Sequence, residues 1–230
     1  MHDSDGLLMV NGRGERLWRP ISNPTTLQIS AFVDAGPRGF GLMQRNRVFD
    51  NYEDLEASYE ARPSLWVEPV GDWGQGAVTL VEIPTNSEVH DNIVAYWQPK
   101  DVIAAGTEYA FAYRLSWGGD PAYAPGGMVV AGTRIGRAQS DGDNPNRRFV
   151  IDFFPPQALE GQPAKEPKAT VTTSRGKISN VVLIPNPKLG EGWRVNFELD
   201  PEDATLVELR VVLQFPDERP AETWVYRWTA

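Results

Sequence analysis

Short runs of alternating apolar and polar residues recur along this chain, and turn residues separate them. Because 21 glycines and 19 prolines are spread over its length, few windows could sustain an ordinary helix, whereas such alternation is typical of β-strands. The first half therefore predicts strands at residues 7–11, 27–33, 65–69, 77–83, 92–98 and 108–117.

Residues 51–61 are the one stretch whose pattern predicts a helix. Asn51 can cap it, two acidic residues fill its first turn, and Tyr52, Leu55 and Tyr59 fall on one face at three- and four-residue spacing. We therefore expect a single short helix in the first half.

The second half of the chain has a more regular rhythm. It predicts strands at residues 128–135, 147–154, 168–174, 178–184, 193–199, 206–215 and 222–228. Seven short strands in about 100 residues is the count of an immunoglobulin-like sandwich. The chain has no cysteine, so packing alone would have to fill the core of this sandwich. The predicted core residues are Phe149, Phe153, Trp193, Val211 and Trp224.

The segment GGDPAYAPG separates the two halves at residues 118–126. Its glycines and prolines are typical of a domain boundary. The pattern therefore predicts two domains, residues 1–122 and residues 123–230.

Charge narrows the class of ligand. The net charge is −9, and residues 1–122 hold 9 basic and 17 acidic residues. This excess disfavours binding to a phosphate backbone, so no nucleic-acid partner is expected. An acidic cleft for an uncharged or cationic ligand and a solvated acidic surface are both open.

The absence of cysteine excludes disulfides, thiolate nucleophiles and cysteine-based zinc sites. No apolar run approaches the roughly 20 residues of a membrane span. The N-terminal residues lack the apolar region of a signal peptide, so if the protein is exported, its signal is expected upstream of this chain.

Residues 62–99 combine the side chains that hold and cut a neutral sugar polymer. Trp66, Trp73 and Trp97 could stack on the C–H faces of pyranoses, or they could be core residues. Arg45 and Arg47, together with Arg62, could contact a ligand or pair with surface acids.

The acidic residues of this region suggest acid–base chemistry. Glu82, Glu88 and Asp91 could project from one rim around residues 84–90 and serve as proton donor and base in glycoside hydrolysis. The bland alternative is that they cap turns. Both histidines precede an aspartate, in His2-Asp3 and His90-Asp91; such residues are more often structural than metal ligands.

Four blocks of the sequence together resemble one family. They are HDSDGLLMVNGRGERLWRPISNP, PRGFGLMQRNRVFDNYEDLEASYEARPSLWVEP, GDWGQGAVTLVEIPTNSEVHDNIVAYWQP and ETWVYRW. In these blocks the chain is similar to the periplasmic glucan biosynthesis proteins G and D. The resemblance implies an all-β fold, with part of a large galactose-mutarotase-like β-sandwich at residues 1–122 and an immunoglobulin-like β-sandwich at residues 123–230.

The resemblance also implies a function. The family makes osmoregulated periplasmic glucans, whose backbone is β-1,2-linked glucose, and similar members are inverting β-1,2-glucanases. The expected protein is periplasmic and hydrolyses β-1,2-glucan without a cofactor or metal. The alternative is a non-catalytic protein that binds glucan or docks to a partner in the glucan synthesis machinery. Whether it forms a homodimer is left open.

Catalytic roles carry over at matching positions only. Asp91 matches the general acid of the family, in the VHDN-like loop, and Asp3 matches the general base in HDSDGL, with Asp5 as the alternative base. Glu88 matches the glutamate of the same loop as Asp91. The implied substrate-binding residues are Tyr59, Arg45, Arg47, Arg62, Trp66, Trp73, Glu82 and Trp97.

Full members of this family carry a long N-terminal portion before HDSDGL, whereas this chain begins at Met1, just before it. We therefore expect a large part of the sandwich sheet to lie outside this chain, leaving strand edges and part of the sugar cleft uncovered. On this expectation, activity requires the full-length protein.

Overall fold

The computed structural model describes residues 4–87, 89–119, 127–138, 145–155 and 165–230. In this part of the chain the regular structure consists of 15 β-strands and short 3₁₀ turns, which confirms the predicted all-β class. The chain divides into two compact units, Met1–Ala124 and Pro125–Ala230. The boundary predicted between residues 122 and 123 falls outside the described residues and stays a prediction.

The first unit contains eight strands. They are β1 (Gly6–Val10), β2 (Arg16–Pro20), β3 (Gln28–Ala35), β4 (Gly39–Met43), β5 (Ser64–Val70), β6 (Gln75–Glu82), β7 (Ile93–Pro99) and β8 (Ala112–Gly118). Each of the six predicted strands corresponds to one of them. The alternation rule missed β2 and β4, because both faces of these short strands are largely buried and no polar face marks them.

Hydrogen bonding orders the strands of this unit as β2-β1-β4-β5-β8 and as β3-β6-β7. All of these pairs are antiparallel. Strand β1 lies between β2 and β4, and all five of its residues, GLLMV, are buried. The core around it is completed by Trp18, Phe40, Met43 and Trp66.

The predicted helix at residues 51–61 is wrong. Two 3₁₀ turns, Phe49–Asn51 and Tyr59–Ala61, lie at the ends of this stretch, and the backbone φ between them is positive at Glu53 (54°) and Ser58 (48°). The side chain of Asp54 accepts hydrogen bonds from the backbone N–H groups two and three residues later, at 2.9 and 2.7 Å. Such local side-chain bonds compete with a helical ladder, and here they replace it.

The second unit contains the seven strands that the sequence predicts. They are β9 (Val129–Arg137), β10 (Arg147–Phe154), β11 (Lys168–Thr173), β12 (Lys177–Asn186), β13 (Gly192–Asp200), β14 (Leu206–Gln214) and β15 (Thr223–Thr229). Within the unit they are ordered β9-β10-β13-β12 and β11-β14-β15. If the strands are lettered A to G in chain order, these are the ABED and CFG sheets of a constant-type immunoglobulin fold.

Aromatic packing fills the core of the second unit in place of a disulfide. The rings of Phe149 and Phe197 stack with centroids 5.0 Å apart, and Trp224 meets both edge-on at 6.0 and 6.1 Å. The indole N–H of Trp224 donates to Thr133 Oγ1 at 2.8 Å, so its one polar atom is satisfied. All five predicted core residues of this unit are buried.

A charged cluster around Asp152 on β10 ties four strands of the second unit together, β9, β10, β12 and β13. Asp152 is 3% exposed and accepts hydrogen bonds from Arg134 (2.7 Å), Arg194 (2.7 and 2.9 Å) and Asn186 (2.9 Å). Burial by itself would raise the pKa of Asp152, but the hydrogen bonds from Arg194, Arg134 and Asn186 and the charge of Arg194 outweigh it and lower the pKa.

Replacing Asp152 with Asn should destabilise the protein by about 1–3 kcal/mol at pH 7, because it weakens charge-assisted hydrogen bonds to two arginines. The pKa of Asp152 is lowered on folding, so its contribution is present above the unfolded pKa, near 3.9, and is lost as pH falls through the folded value. Urea unfolding of wild type and variant from pH 7 to pH 3 would measure the difference. We expect it to shrink at the acid end.

The matched control is Glu202→Gln. Glu202 pairs with Lys177, but these side chains are 44% and 73% exposed, and exposed pairs contribute only about 0–1 kcal/mol. Equal losses for Asp152→Asn and Glu202→Gln at pH 7 would contradict the structural role of the Asp152 cluster.

Candidate cleft

The loop between β6 and β7 is held at its base by a pair of hydrogen bonds. The N–H of Ile83 donates to the carbonyl oxygen of Asn92 at 2.8 Å, and Asn92 Nδ2 donates back to Ile83 O at 2.9 Å. The loop between these residues carries His90 and Asp91, so this closed base presents both at the end of the sheet.

The loop that follows β2 supports the other side of this segment. Asn23 Nδ2 donates to Thr85 O at 2.7 Å, and Asn23 Oδ1 accepts from Thr85 N–H at 3.0 Å. The two bonds pair one side-chain amide with the backbone N–H and C=O of one residue, which fixes the start of the β6–β7 loop against the neighbouring loop.

The segment that carries Tyr59 is anchored by hydrogen bonds from the side chains of Arg47 and Gln44. Arg47 donates from Nη1 to the carbonyl oxygens of Glu60 (3.0 Å) and Arg62 (2.9 Å), and from Nη2 to that of Gly119 (3.2 Å). The Gln44 side chain donates to Tyr59 O. Because it has no regular helix to hold it, this segment depends on these contacts for its position.

Aromatic and cationic groups order the face of this segment. The rings of Tyr52 and Tyr59 have centroids 5.9 Å apart, and the guanidinium of Arg62 lies 4.5 Å from the Tyr59 ring centroid. The distance is within the range of a cation–π contact. Arg62 Nε also donates to Ala57 O at 3.3 Å, so Arg62 supports Tyr59.

These segments enclose an open cleft of about 520 Å³. It is lined by Asn23, Tyr52, Tyr59, Thr85, Asn86, Ser87, His90 and Asn92. Apart from the histidine, each lining side chain is neutral and either hydroxylated or an amide. Such a surface offers hydrogen bonds and aromatic ring faces without a strong electrostatic field, which suits an uncharged ligand rich in hydroxyls.

Only part of the predicted catalytic set lies within the described residues. Asp91 is exposed and directly follows His90, which lines the cleft. Asp3 and Glu88 lie outside the described residues, so their roles stay predictions. The carboxylate of Asp5, the alternative base, accepts hydrogen bonds from the backbone N–H groups of Arg45 and Asn46, the latter at 2.7 Å. Asp5 therefore holds the chain that leaves β4.

The structure places two predicted substrate-binding residues in the core of the first unit. Trp66 is 2% exposed and packs against Gly39, where an added Cβ would come within 2.2 Å of its ring. Glu82 is 0% exposed; it accepts from Arg19 at 2.9 Å and from the N–H and hydroxyl of Ser22 at 2.8 and 3.1 Å. These contacts give both residues a structural role.

Trp73 and Trp97 belong to an aromatic cluster elsewhere in the unit. The ring of Trp73 lies 6.2 Å from that of Trp97, 5.4 Å from Phe111 and 6.2 Å from Tyr113. Trp73 precedes β6, whereas Asp91 lies in the loop that follows it. The eight residues of β6 span about 25 Å at ~3.3 Å per residue. Residues that the sequence predicted to share one site therefore lie at opposite ends of this strand.

Arg45 lies apart from the lining residues of the cleft. Its guanidinium carbon is 3.5 Å from the centroid of the Trp18 ring, a close cation–π contact. With the carbonyl contacts of Arg47 and the contacts of Arg62 with Tyr59 and Ala57, all three predicted ligand arginines have defined partners within the protein.

Sequence reasoning missed most of the cleft. Asn23, Thr85 and Asn92 look like ordinary turn residues in the sequence, and only the pairing of two loops brings them together. Tyr52 did carry a signal, because it was expected to share a face with Tyr59. His90 also stood out as one of two histidines before an aspartate.

Among the described residues, no helix is long and apolar enough to cross a membrane.

The model of the family described as periplasmic glucan biosynthesis protein, MdoG, matches residues 1–228. The chain belongs to this family.

Curated relatives agree with the family match. The chain is 58% identical over 229 residues to glucans biosynthesis protein G of Vibrio cholerae serotype O1, with 100% of this chain and 41% of the relative aligned. It is 57% identical to the protein of the same name from Shewanella frigidimarina, with 100% of this chain and 40% of the relative covered. The chain therefore spans about 41% of the length of the curated relatives it matches.

Proposed function

We propose that the protein acts in periplasmic glucan biosynthesis by binding β-1,2-linked glucan in the cleft beside Asp91 and hydrolysing it with inversion. One observation carries the proposal: the cleft is lined by two tyrosines and by amide and hydroxyl side chains, next to an exposed carboxylate. Glucose units offer apolar ring faces and many hydroxyls, and this lining matches both. The family to which the chain belongs supports a role with glucan and a periplasmic location, and the β-1,2 linkage is part of the proposal.

The proposed mechanism divides two roles between carboxyl groups. Asp91 protonates the leaving glycosidic oxygen, directly or through a substrate hydroxyl. Asp3 takes a proton from the water that attacks the anomeric carbon on the opposite face. The C–O bond to the leaving sugar breaks as the new C–O bond forms, so the product carries the inverted configuration. Glu88, in the same loop as Asp91, is the third proposed catalytic residue.

A second function, glucan binding without cleavage, has one observation in its favour. The aromatic cluster around Trp73 includes the exposed rings of Phe111 and Tyr113, and it lies at the other end of β6 from Asp91. Such rings can hold sugar without acid–base groups. Under this function the protein assists glucan synthesis by presenting the polymer to a partner.

Incubation with linear β-1,2-glucan separates the two functions. The full-length protein and the present chain would each be mixed with this polymer, with β-1,3-glucan as the linkage control, and new reducing ends would be counted. We expect the full-length protein to release new reducing ends from β-1,2-glucan and none from β-1,3-glucan. Binding by calorimetry without new reducing ends would favour the binding function, whereas neither binding nor cleavage would contradict both.

A further inference from the structure

His90 lies over a small hydrogen-bond network centred on the hydroxyl of Thr85. Thr85 Oγ1 donates to Ser87 O at 3.1 Å, accepts from Ser87 N–H at 3.2 Å and lies 2.9 Å from His90 Nδ1. A hydroxyl has a single proton to donate. In the arrangement in which that proton goes to the carbonyl oxygen of Ser87, His90 Nδ1 is the donor in its contact with Thr85.

In this arrangement the network selects the tautomer of His90. A neutral imidazole with its proton on Nδ1 carries a lone pair on Nε2, on the far side of the ring. Within residues 4–87, 89–119 and the other described ranges, no side chain or peptide group is hydrogen-bonded to that nitrogen. Since His90 lines the cleft, the cleft gains a fixed hydrogen-bond acceptor.

Other polar groups of the cleft are already engaged in holding the loops. Both ends of the Asn23 amide bond to the backbone of Thr85, and Asn92 Nδ2 donates to Ile83 O. The hydroxyl of Tyr52 donates to Asn46 O at 3.2 Å. These groups shape the cleft, whereas His90 Nε2 has no partner among the described residues and can meet a ligand.

We propose that His90 is a sugar-binding residue whose Nε2 accepts a hydrogen bond from a glucose hydroxyl, in a tautomer that Thr85 enforces. The inference rests on the proposed function, because it takes the ligand of the cleft to be β-1,2-glucan. It adds to that function a binding residue beside the general acid. It also gives Thr85, in the same loop, the role of setting the tautomer of His90.

Two replacements of His90 separate ligand contact from loop support. Asn keeps an N–H donor near the position of Nδ1 but does not reach the position of Nε2. Gln reaches the position of Nε2 but loses the bond to Thr85. In the full-length protein, His90→Asn should raise the KM for linear β-1,2-glucan about five- to tenfold, the worth of one neutral hydrogen bond. His90→Gln should retain most of the affinity.

The kcat should stay within about twofold of wild type in both variants, because a contact made equally in the ground and transition states changes KM alone. Thr85→Val should raise KM as well, since the tautomer is no longer enforced, and Thr85→Ser should restore it. If His90 only supports the loop, the order reverses: His90→Asn resembles wild type and His90→Gln is impaired. That reversed order would overturn the inference.

The tautomer itself is tested without a substrate. In ¹⁵N-labelled full-length protein, a long-range ¹H–¹⁵N spectrum with His90→Asn for assignment should show a protonated Nδ1 and an unprotonated Nε2. A protonated Nε2 in the neutral ring would overturn the inference whatever the activity.

Calorimetric titration with β-1,2-glucan keeps this inference separate from the proposed function. Wild type that binds glucan no better than His90→Asn refutes the His90 contact while the function stands. Wild type that does not bind or cleave glucan refutes both.

Discussion

In the full-length protein, Asp91→Asn should reduce cleavage of β-1,2-glucan by about 10² to 10⁴ while leaving glucan binding largely intact. Loss of one acid–base role typically costs a factor of this size. Asn keeps the shape of the side chain and most of its hydrogen bonding, but it has no proton to transfer to the leaving oxygen. The release of reducing ends gives the rate, and calorimetry gives the affinity.

Asp101→Asn is the matched control for this experiment. Asp101 is an exposed acid beyond the end of β7, so its replacement removes the same charge away from the cleft. Turnover by Asp101→Asn should equal that of wild type. Near-normal turnover by Asp91→Asn, after wild-type contamination is excluded, would favour the binding function instead.

The stereochemistry of the product tests the second carboxylate. Asp3→Asn should impair cleavage in the same way, and products released early by wild type should carry the α anomer, because water attacks the face opposite the leaving sugar. Retention of the β configuration would instead assign a nucleophilic carboxylate, with Glu88 as the first candidate.

The second large effect concerns stability rather than catalysis. Glu82→Gln should lower the free energy of unfolding by about 3–5 kcal/mol, because it removes the carboxylate that faces the buried charge of Arg19. Arg19 and Glu82 are 2% and 0% exposed, and their side chains meet at 2.9 Å. Chemical denaturation measures the loss.

A double variant and a surface control sharpen this test. Arg19→Met added to Glu82→Gln should recover part of the loss, since it removes the buried charge that faced Glu82 and the two effects are coupled. Glu68→Gln breaks the pair with Arg114, whose side chains are 41% and 66% exposed, and should cost less than about 1 kcal/mol. Wild-type stability with weakened glucan binding in Glu82→Gln would restore Glu82 as a substrate-binding residue.

The fold could be predicted from the sequence to the extent that it depends on local patterns. The seven strands of the second unit were each predicted because their alternation and turns lie within a few neighbouring residues. The predicted helix at residues 51–61 failed because its apolar spacing is a local signal, whereas the side chain of Asp54 and the distant donors Gln44 and Arg47 fix the backbone otherwise.

The candidate site could likewise be predicted only in part. Family blocks in the sequence pointed to Tyr59 and Asp91, and the structure puts Tyr59 on the cleft and Asp91 beside it. Trp66 and Glu82 lie in the same sequence region, but their side chains point into the core, and strand direction alone decides which face a residue takes. The sequence carries residue types and spacing, not this choice.

By itself, the sequence determined the all-β class, the strands of the second unit, the family and the candidate residues for acid–base chemistry. Only the tertiary structure decided that Asn23, Tyr52, Thr85 and His90 share one cleft, and that Trp73 lies at the far end of β6. The physical reason is that strand and turn propensities act over a few residues, whereas a cleft forms where loops from distant parts of the chain are hydrogen-bonded side by side.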